Sequence, residues 1–277
     1  MKFWDSKIVS ISGAASGIGF ALAKELHSRG ATVWLTDINS EAVQMAASSL
    51  GDKVRSSVLD VRDAAAFKAH VADVIESFGA LDALFNNAGL GAGGLAHELD
   101  TSHFDQCAAV NITGVSNGCM AAYASMYERG AGIIVNTASA AGLLAVPGMT
   151  PYAMTKHAIV GLSKSLRIEA AERNIQVCAL CPTAIDTPLL DNANPSGTPR
   201  IWMPNLRDFL TDMGGPPYPV DKFAVYALDQ VEKNKGIIVA PFGARVRLKL
   251  AQVFPGVFEY MSRRAYRKQL SLRHGSP

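Results

Sequence analysis

Lys7-Ile8-Val9-Ser10-Ile11-Ser12-Gly13-Ala14-Ala15-Ser16-Gly17-Ile18-Gly19 decides the architecture. The first six residues predict a short buried strand, and Phe20 to Arg29 predicts a helix stopped at Gly30. Between them, Gly13, Gly17 and Gly19 form a glycine-rich turn of spacing G-x-x-x-G-x-G. Glycine lets such a turn bend tightly and brings backbone N–H groups close to a pyrophosphate. The following helix points the positive end of its dipole at that anion. Glycines also simply make turns, so the strand–turn–helix context carries the reading.

The next strand, Thr32 to Thr36, ends at Asp37, 20 residues after Gly17. A carboxylate there accepts hydrogen bonds from the two adenosine ribose hydroxyls and repels a 2′-phosphate. Neither Ala15 nor Ile38 is a cation that would bind such a phosphate. NAD is therefore expected over NADP. The plainer alternative for Asp37 is a turn or helix-cap residue.

Helix and strand patterns alternate through the rest of the chain. Helices are predicted at Ser40 to Leu50 and Ala64 to Phe78, then as one long helix from His103 to Arg129. Two more cover Pro151 to Arg173 and Val220 to Glu232. Strands are predicted at Val54 to Leu59, Ala83 to Phe85, Ile133 to Thr137, Ile175 to Cys181 and Gly236 to Ala240. Such alternation implies right-handed crossovers and a parallel sheet covered on both faces. The expected fold is α/β, a Rossmann-type doubly wound parallel sheet of about seven strands with helices on both faces, plus a C-terminal helical extension. Residues 1–242 would form the dinucleotide-binding and catalytic domain, with a substrate lid at about 188–218 and a basic extension at 243–277. Gly13, Asp37, Asp60, Asn87, Ser139 and Pro182 all follow predicted strands, so they should gather along one edge, where ligands of such sheets bind.

Tyr152 and Lys156 lie four residues apart on a predicted helix and should share a face. A free phenol titrates near ~10. A cation within ~4 Å favours the phenolate by roughly 4 kcal/mol at an effective dielectric of ~20, before solvation costs. That would bring the phenol to about pH 7, where a proton shuttle works best. The plainer alternative is a half-buried Tyr beside a solvated Lys.

The combination Gly13-x-x-x-Gly17-Ile18-Gly19, Asp60-Val61, Asn87-Ala88-Gly89, Asn111, Ser139 and Tyr152-x-x-x-Lys156 resembles the classical short-chain dehydrogenase/reductase family over about residues 5 to 242. The thirteen residues from Ser139 to Tyr152 match the spacing of that family's active site. The resemblance implies Tyr152 as general acid/base and Ser139 as a hydrogen-bond partner of the same substrate oxygen. It implies that Lys156 binds the nicotinamide ribose and lowers the Tyr152 pKa, and that Asn111 holds a water in a proton relay through Lys156. The implied cofactor contacts are Gly13, Ser16, Gly17, Ile18, Gly19, Asp37, Asp60, Val61, Asn87, Ala88, Gly89, Tyr152, Lys156, Pro182, Ile185 and Thr187. Where the family often has Pro-Gly after the sixth strand, this chain has Pro182-Thr183, which adds bulk beside the expected nicotinamide position.

Composition sets the outer bounds. Hydrophobic residues make up 49% and charged residues 18%, which describes a chain with a sizeable core. The N-terminus lacks the apolar core of a signal peptide, and no run of ~18 apolar residues is present, so a cytoplasmic location is expected. Cys178 and Cys181 would point to opposite faces of a strand, as core thiols rather than a redox or zinc pair, and no metal is expected. No nucleic-acid-binding module is recognisable.

Pro182 to Pro219 holds eight prolines with Trp202, Met203, Leu206, Phe209, Leu210 and Met213 among them, the composition of a lid. Leu143, Leu144, Val146 and Met149 would form the opposite wall. The expected substrate-facing set is Ser139, Leu143, Leu144, Met149, Tyr152 and Trp202. Few charges stand nearby: Asp191, Arg200, Arg207, Asp208 and Asp212. The expected substrate is a largely apolar secondary alcohol or ketone, aromatic or steroid-like; core or subunit contacts are the other use of these residues. An NADPH-dependent ketone reductase and a non-catalytic dinucleotide sensor are the alternatives. A homodimer or homotetramer is the family expectation.

From Gly243 onward, eight Lys or Arg stand against the single acid Glu259, leaving the tail at +7 and the remainder at −5 of a net +2. Val257, Met261 and Ala265 are spaced for one helical face, with Arg263, Arg264, Arg267 and Lys268 mostly on another, and Pro255 should split the segment into two helices. Three readings stay open: a docked helix shaping the pocket or a subunit contact, a weak contact with an anionic membrane surface, or a solvated tail.

Overall fold

A computed structural model describes residues 2–51, 53–191 and 201–274. Seven parallel strands form one sheet: β1 (Ile8–Ser12), β2 (Thr32–Asp37), β3 (Arg55–Val58), β4 (Ala83–Asn86), β5 (Gly132–Thr137), β6 (Ile175–Pro182) and β7 (Ile237–Ala240). Their spatial order is β3-β2-β1-β4-β5-β6-β7. The inner strands are nearly all buried, as apolar runs covered on both faces require. The outer strands β3 and β7 have only four residues each. Strand order reverses between β1 and β4, which opens a crevice at their C-terminal ends.

Helices α1 (Gly17–Ser28), α2 (Ser40–Leu50) and α8 (Val220–Glu232) pack on one face, against Val9, Ile11, Val33 and Phe85. Helices α3 (Ala64–Phe78), α5 (Val115–Arg129) and α6 (Thr150–Ala171) cover the other, against Leu84, Ile134 and Val177. Phe67, Phe85 and Phe223 are fully buried, and truncating any of them to Ala should cost about 3–5 kcal/mol. Cys178 belongs to the first core and Cys181 to the second, both as free thiols, as their spacing along β6 predicts.

The predicted long helix from His103 to Arg129 is interrupted. Helix α4 (Thr101–Ala108) passes into one π-helical turn, Ala109–Gly114, before α5 begins. A π turn widens the helix and re-aims its side chains, here those around Asn111. In α6, Pro151 stands in the first turn, where its missing N–H costs nothing.

Within the expected lid, α7 (Leu206–Gly214) starts at Asn205, whose Oδ1 accepts from the Asp208 amide at 3.1 Å. Residues 192–200, including Arg200, lie outside the described residues. The extension forms α9 (Phe242–Val253) and α10 (Pro255–His274), divided at Pro255 as predicted. The face expected for α10 differs. Ala265 does turn inward, but beside Ser262 and Gln269, while Val257 and Met261 stand exposed. Polar ties explain the difference. Gln269 Oε1 accepts from the Asn205 amide (3.2 Å), Lys268 pairs with Asp212 (2.8 Å) and Arg273 pairs with Glu98 (2.7 Å). These contacts exclude the solvated-tail reading. No helix among the described residues is long and apolar enough to cross a membrane.

Candidate active site

The glycine turn fills the crevice beside β1. Gly13 (φ +63°) and Gly17 (φ +54°) adopt left-handed backbone that side chains disfavour. At Gly19 a Cβ would run into the Gly13 carbonyl and come within 2.5 Å of Asn87 Nδ2. Asn87 ties the strand ends together. Its Nδ2 donates to the Ser12 and Gly13 carbonyls (3.2 and 3.0 Å), and its Oδ1 accepts from Thr137 Oγ1 (3.2 Å). The Ser12 hydroxyl oxygen in turn accepts from the Asn87 and Ala88 amides. Ser16 is the N-cap of α1 but its side chain makes no capping bond. Thr187 comes against Gly17, where a Cβ would lie 3.5 Å from the Thr187 side chain.

Asp37 closes the turn from the side. Its Oδ2 accepts from the Ala15 amide (3.3 Å) and its Oδ1 from the Asn39 amide (3.1 Å). Asp60 is clamped by Arg62, whose guanidinium holds the carboxyl below its usual range. Val61 beside it is buried, its carbonyl accepting from Asn117 Nδ2 at 2.9 Å. A cradle that tolerates no Cβ, an uncapped helix N-terminus and a carboxylate at the end of β2 together fit a dinucleotide.

Ser139 follows β5, and Tyr152 and Lys156 lie one turn apart on α6. The structure brings all three together. Ser139 and Tyr152 line the same end of one cavity, and Lys156 Nζ lies 5.4 Å from the Tyr152 ring centre. Lys156 is buried and donates to the Thr137 carbonyl at 2.8 Å, a partner the spacing argument missed. The expectation of a phenol near pH 7 is overturned for the free protein. Burial pushes the Tyr152 phenol up to about 12, against a smaller downward pull from Ser139, and pushes Lys156 down to about 8. The cavity leaves the Tyr152 ring half-buried, but protein atoms crowd its other sides. Desolvation of the charged form is the largest cause of both shifts.

Asn111 is fully buried, and its side chain is committed. Its Oδ1 accepts from the Leu90 amide (2.9 Å), and its Nδ2 donates to the Leu90 carbonyl (2.9 Å) and Thr155 Oγ1 (3.0 Å). Cys107 joins this cluster at 3.3 Å. The π turn thus pins the loop that follows Asn87-Ala88-Gly89. Gly89 fits between the two polar groups: a Cβ there would lie 3.1 Å from Asn111 Oδ1 and 3.5 Å from Lys156 Nζ.

A cavity of about 590 Å³ begins at Ser139, Tyr152 and Ile18 and runs out between α7 and the extension. Pro182, Thr183, Ile185 and Thr187 line its cofactor side, and Leu144, Val146 and Met149 one wall. Thr183 turns its hydroxyl onto the Ala240 carbonyl (3.1 Å). Two expected substrate residues do not line it. Leu143 packs into the core under α6, and the Trp202 ring lies against the Arg273 guanidinium at 5.5 Å. Leu248, Phe254, Val257, Phe258 and Met261 supply the far wall, in line with the reading of the extension as a docked helix that shapes the pocket. Nothing local in α9 or α10 marks them, because only tertiary docking brings them to the cavity. Arg207 fastens α7 beside it, reaching Asp186 (2.8 Å) and Asp191 (2.6 Å). Arg247 donates to the Gly214 carbonyl at the other end of α7 (2.7 Å).

Comparison with known proteins agrees with this geometry. The short chain dehydrogenase family model matches residues 7–197. The chain is 36% identical over 210 residues to 2-(R)-hydroxypropyl-CoM dehydrogenase of Xanthobacter autotrophicus, covering 73% of this chain and 81% of that one. It is 34% identical over 198 residues to levodione reductase of Leifsonia aquatica, covering 69% and 74%. A crystal structure of a short chain dehydrogenase/reductase from Burkholderia phymatum in complex with NAD superposes with a TM-score of 0.81 at 27% identity, covering 93% of this chain and 96% of that chain. The chain belongs to the short-chain dehydrogenase family of oxidoreductases.

Proposed function

We propose that this protein is an NAD-dependent dehydrogenase of a largely apolar secondary alcohol, or the reductase of the corresponding ketone. The single observation that carries this reading is the cavity, apolar along its walls, with Ser139 and Tyr152 at its inner end beside Ile18 of the glycine turn. Its volume suits an aromatic or steroid-sized molecule.

Ser139 would hold the substrate oxygen by its hydroxyl, and Tyr152 would exchange the proton on that oxygen. Lys156, held by Thr137, would bind the nicotinamide ribose and stabilise negative charge on the phenol. Oxidised nicotinamide, when bound, supplies the hydride acceptor and a positive charge beside the site. Asn111 would serve the proton relay by fixing the Leu90 loop against α6. The glycine turn, Ser16, Asp60, Val61, Asn87, Ala88, Gly89, Pro182, Ile185 and Thr187 would hold the dinucleotide. Asp37 supports NAD over NADP, since the cation that would receive a 2′-phosphate is missing at Ala15 and Ile38. A homodimer or homotetramer is supported by Met120 and Tyr127 on α5 and Met154 and Ile168 on α6, which stand exposed on the two long helices.

A screen of bulky apolar secondary alcohols against sugars and hydroxy acids, each with NAD and NADP and followed by nicotinamide absorbance, tests the proposal. Turnover of the apolar set with NAD is expected, and Asp37→Ala should narrow the preference between the two cofactors. Preference for small charged substrates, or for NADP in the wild type, would defeat it.

A further inference from the structure

We propose that the α9–α10 elbow is a docking surface for an anionic phospholipid bilayer, with the mouth of the active-site cavity facing the lipid. The outer face of α9 carries the argument. Ala244 and Leu248 are buried against the body, while Phe242, Val246, Leu250 and Val253 are all exposed. At ~100° per residue these four fall on the side of the helix opposite the buried pair, so the apolar stripe faces solvent, with Leu250 at its edge on the cavity rim. Arg245 and Lys249 run along its border.

The chain turns at Phe254, itself 56% exposed, into a second helix of the same kind. Val257, Tyr260 and Met261 are exposed on the first turns of α10, whose inward side carries Ser262, Ala265 and Gln269. Behind this apolar tip the exposed surface becomes basic. Arg263 pairs with Glu259 and Lys268 with Asp212, but Lys249, Arg264 and Arg267 have no acidic partner among the described residues. An apolar tip with a basic belt behind it is the profile of a helix lying in the membrane interface, with its apolar side chains at the acyl boundary and its cations at the headgroups.

Charge selects the occupant. The extension carries +7 on a body of −5. A second copy seated on the elbow by two-fold symmetry would bring one basic belt against another. Anionic headgroups complement it.

The cavity gives the surface a purpose. Leu250, Phe254, Val257 and Met261 are exposed and also line the cavity, so they form its rim. A bilayer seated on the elbow would cover that rim, and an apolar alcohol dissolved in lipid would enter without crossing water. This last step rests on the apolar-substrate reading above; the docking itself does not.

Co-sedimentation with vesicles of phosphatidylcholine alone and of phosphatidylcholine with phosphatidylglycerol tests the docking without any turnover. The wild type should partition at least about tenfold more onto the anionic vesicles, and added salt should release it. The double variant Val246→Asp/Val253→Asp changes two outward side chains that do not line the cavity. It should keep the wild-type circular dichroism and melting temperature and lose about tenfold or more in bound fraction. Arg264→Glu/Arg267→Glu should lose the anionic preference. A wild type that stays in the supernatant with anionic vesicles at low salt overturns the proposal, as does a double variant that binds equally well. A wild-type dimer in light scattering that Val246→Asp/Val253→Asp converts to monomer would assign the surface to a second copy and also overturn it.

Discussion

Lys156 Nζ lies 5.4 Å from the centre of the Tyr152 ring, and the Thr137 carbonyl at the end of β5 holds it there at 2.8 Å. The ammonium is thus built into the protein beneath the phenol instead of reaching it through solvent. Both groups bear the cost of burial, and that cost is the main influence on their resting protonation.

For Tyr152 the consequence is a phenol that keeps its proton in the dinucleotide-free protein. An ultraviolet difference titration of wild type minus Tyr152→Phe should show no phenolate forming below pH ~10. A phenolate appearing near neutrality would show that Lys156 outweighs burial. In turnover, Tyr152→Phe should lose about 10²–10⁴-fold with dinucleotide affinity close to normal.

Lys156 makes a stability prediction of opposite sense to an ordinary surface lysine. Its pKa is about 8 in the fold against 10.5 outside it. Below about 8 the native state carries the full cost of the buried charge. Between about 8 and 10.5 the unfolded chain holds a proton that the native state has released, so stability rises with pH. Lys156→Met should remove that rise and add up to about 3 kcal/mol at neutral pH, while abolishing turnover. Urea midpoints across the range would check it.

His70 gives an acid-side counterpart. It is buried with its Nε2 2.8 Å from Ser10 Oγ, and burial lowers its pKa to about 4 from 6.5. Between those values the unfolded state binds the extra proton, so the contribution is complete above 6.5 and is lost as pH falls towards 4. The loss should amount to roughly 3 kcal/mol. Comparing His70→Gln with wild type at neutral and acidic pH isolates it from the carboxylates; parallel curves would refute the assignment.

Gly19→Ala tests the cradle. The new methyl would meet the Gly13 carbonyl and Asn87 Nδ2 together, so the turn must open. The dissociation constant for NAD, measured by titration calorimetry, should rise about tenfold or more, equivalent to ~1.4 kcal/mol. The melting temperature should fall only modestly, because the strain lies in a loop.

Arg207→Ala should separate stability from substrate binding. The side chain is about a third exposed, and water screens its ion pairs with Asp186 and Asp191, so they add little to stability. The melting temperature should therefore barely move. Loosening α7 should raise KM for an apolar substrate by roughly threefold or more, with a smaller change in kcat.

Local spacing made much of the fold and the site legible in sequence. The strand–glycine–helix opening, the alternation to β7, the Pro255 break and the pairing of Tyr152 with Lys156 all depend on neighbours within a few residues. What escaped depends on tertiary packing. The π turn at Asn111 leaves the apolar pattern of its helix nearly unchanged, so the pattern predicts one continuous helix. The phenol pKa is not legible in sequence, because spacing shows a neighbouring cation but not burial. Leu143 and Trp202 are near the site only along the chain, and long-range docking of the extension brings Phe254, Val257, Phe258 and Met261 to the cavity wall instead.

The four-residue outer strands have a further consequence. Arg55 opens β3 with its guanidinium folded over the Trp34 and Phe78 rings, two serines follow, and Pro241 comes directly after β7. Such brief, polar or proline-ended borders make poor templates for strand addition. Crowded molecules of this protein should therefore resist fibril growth, and their self-association should proceed through helical surfaces.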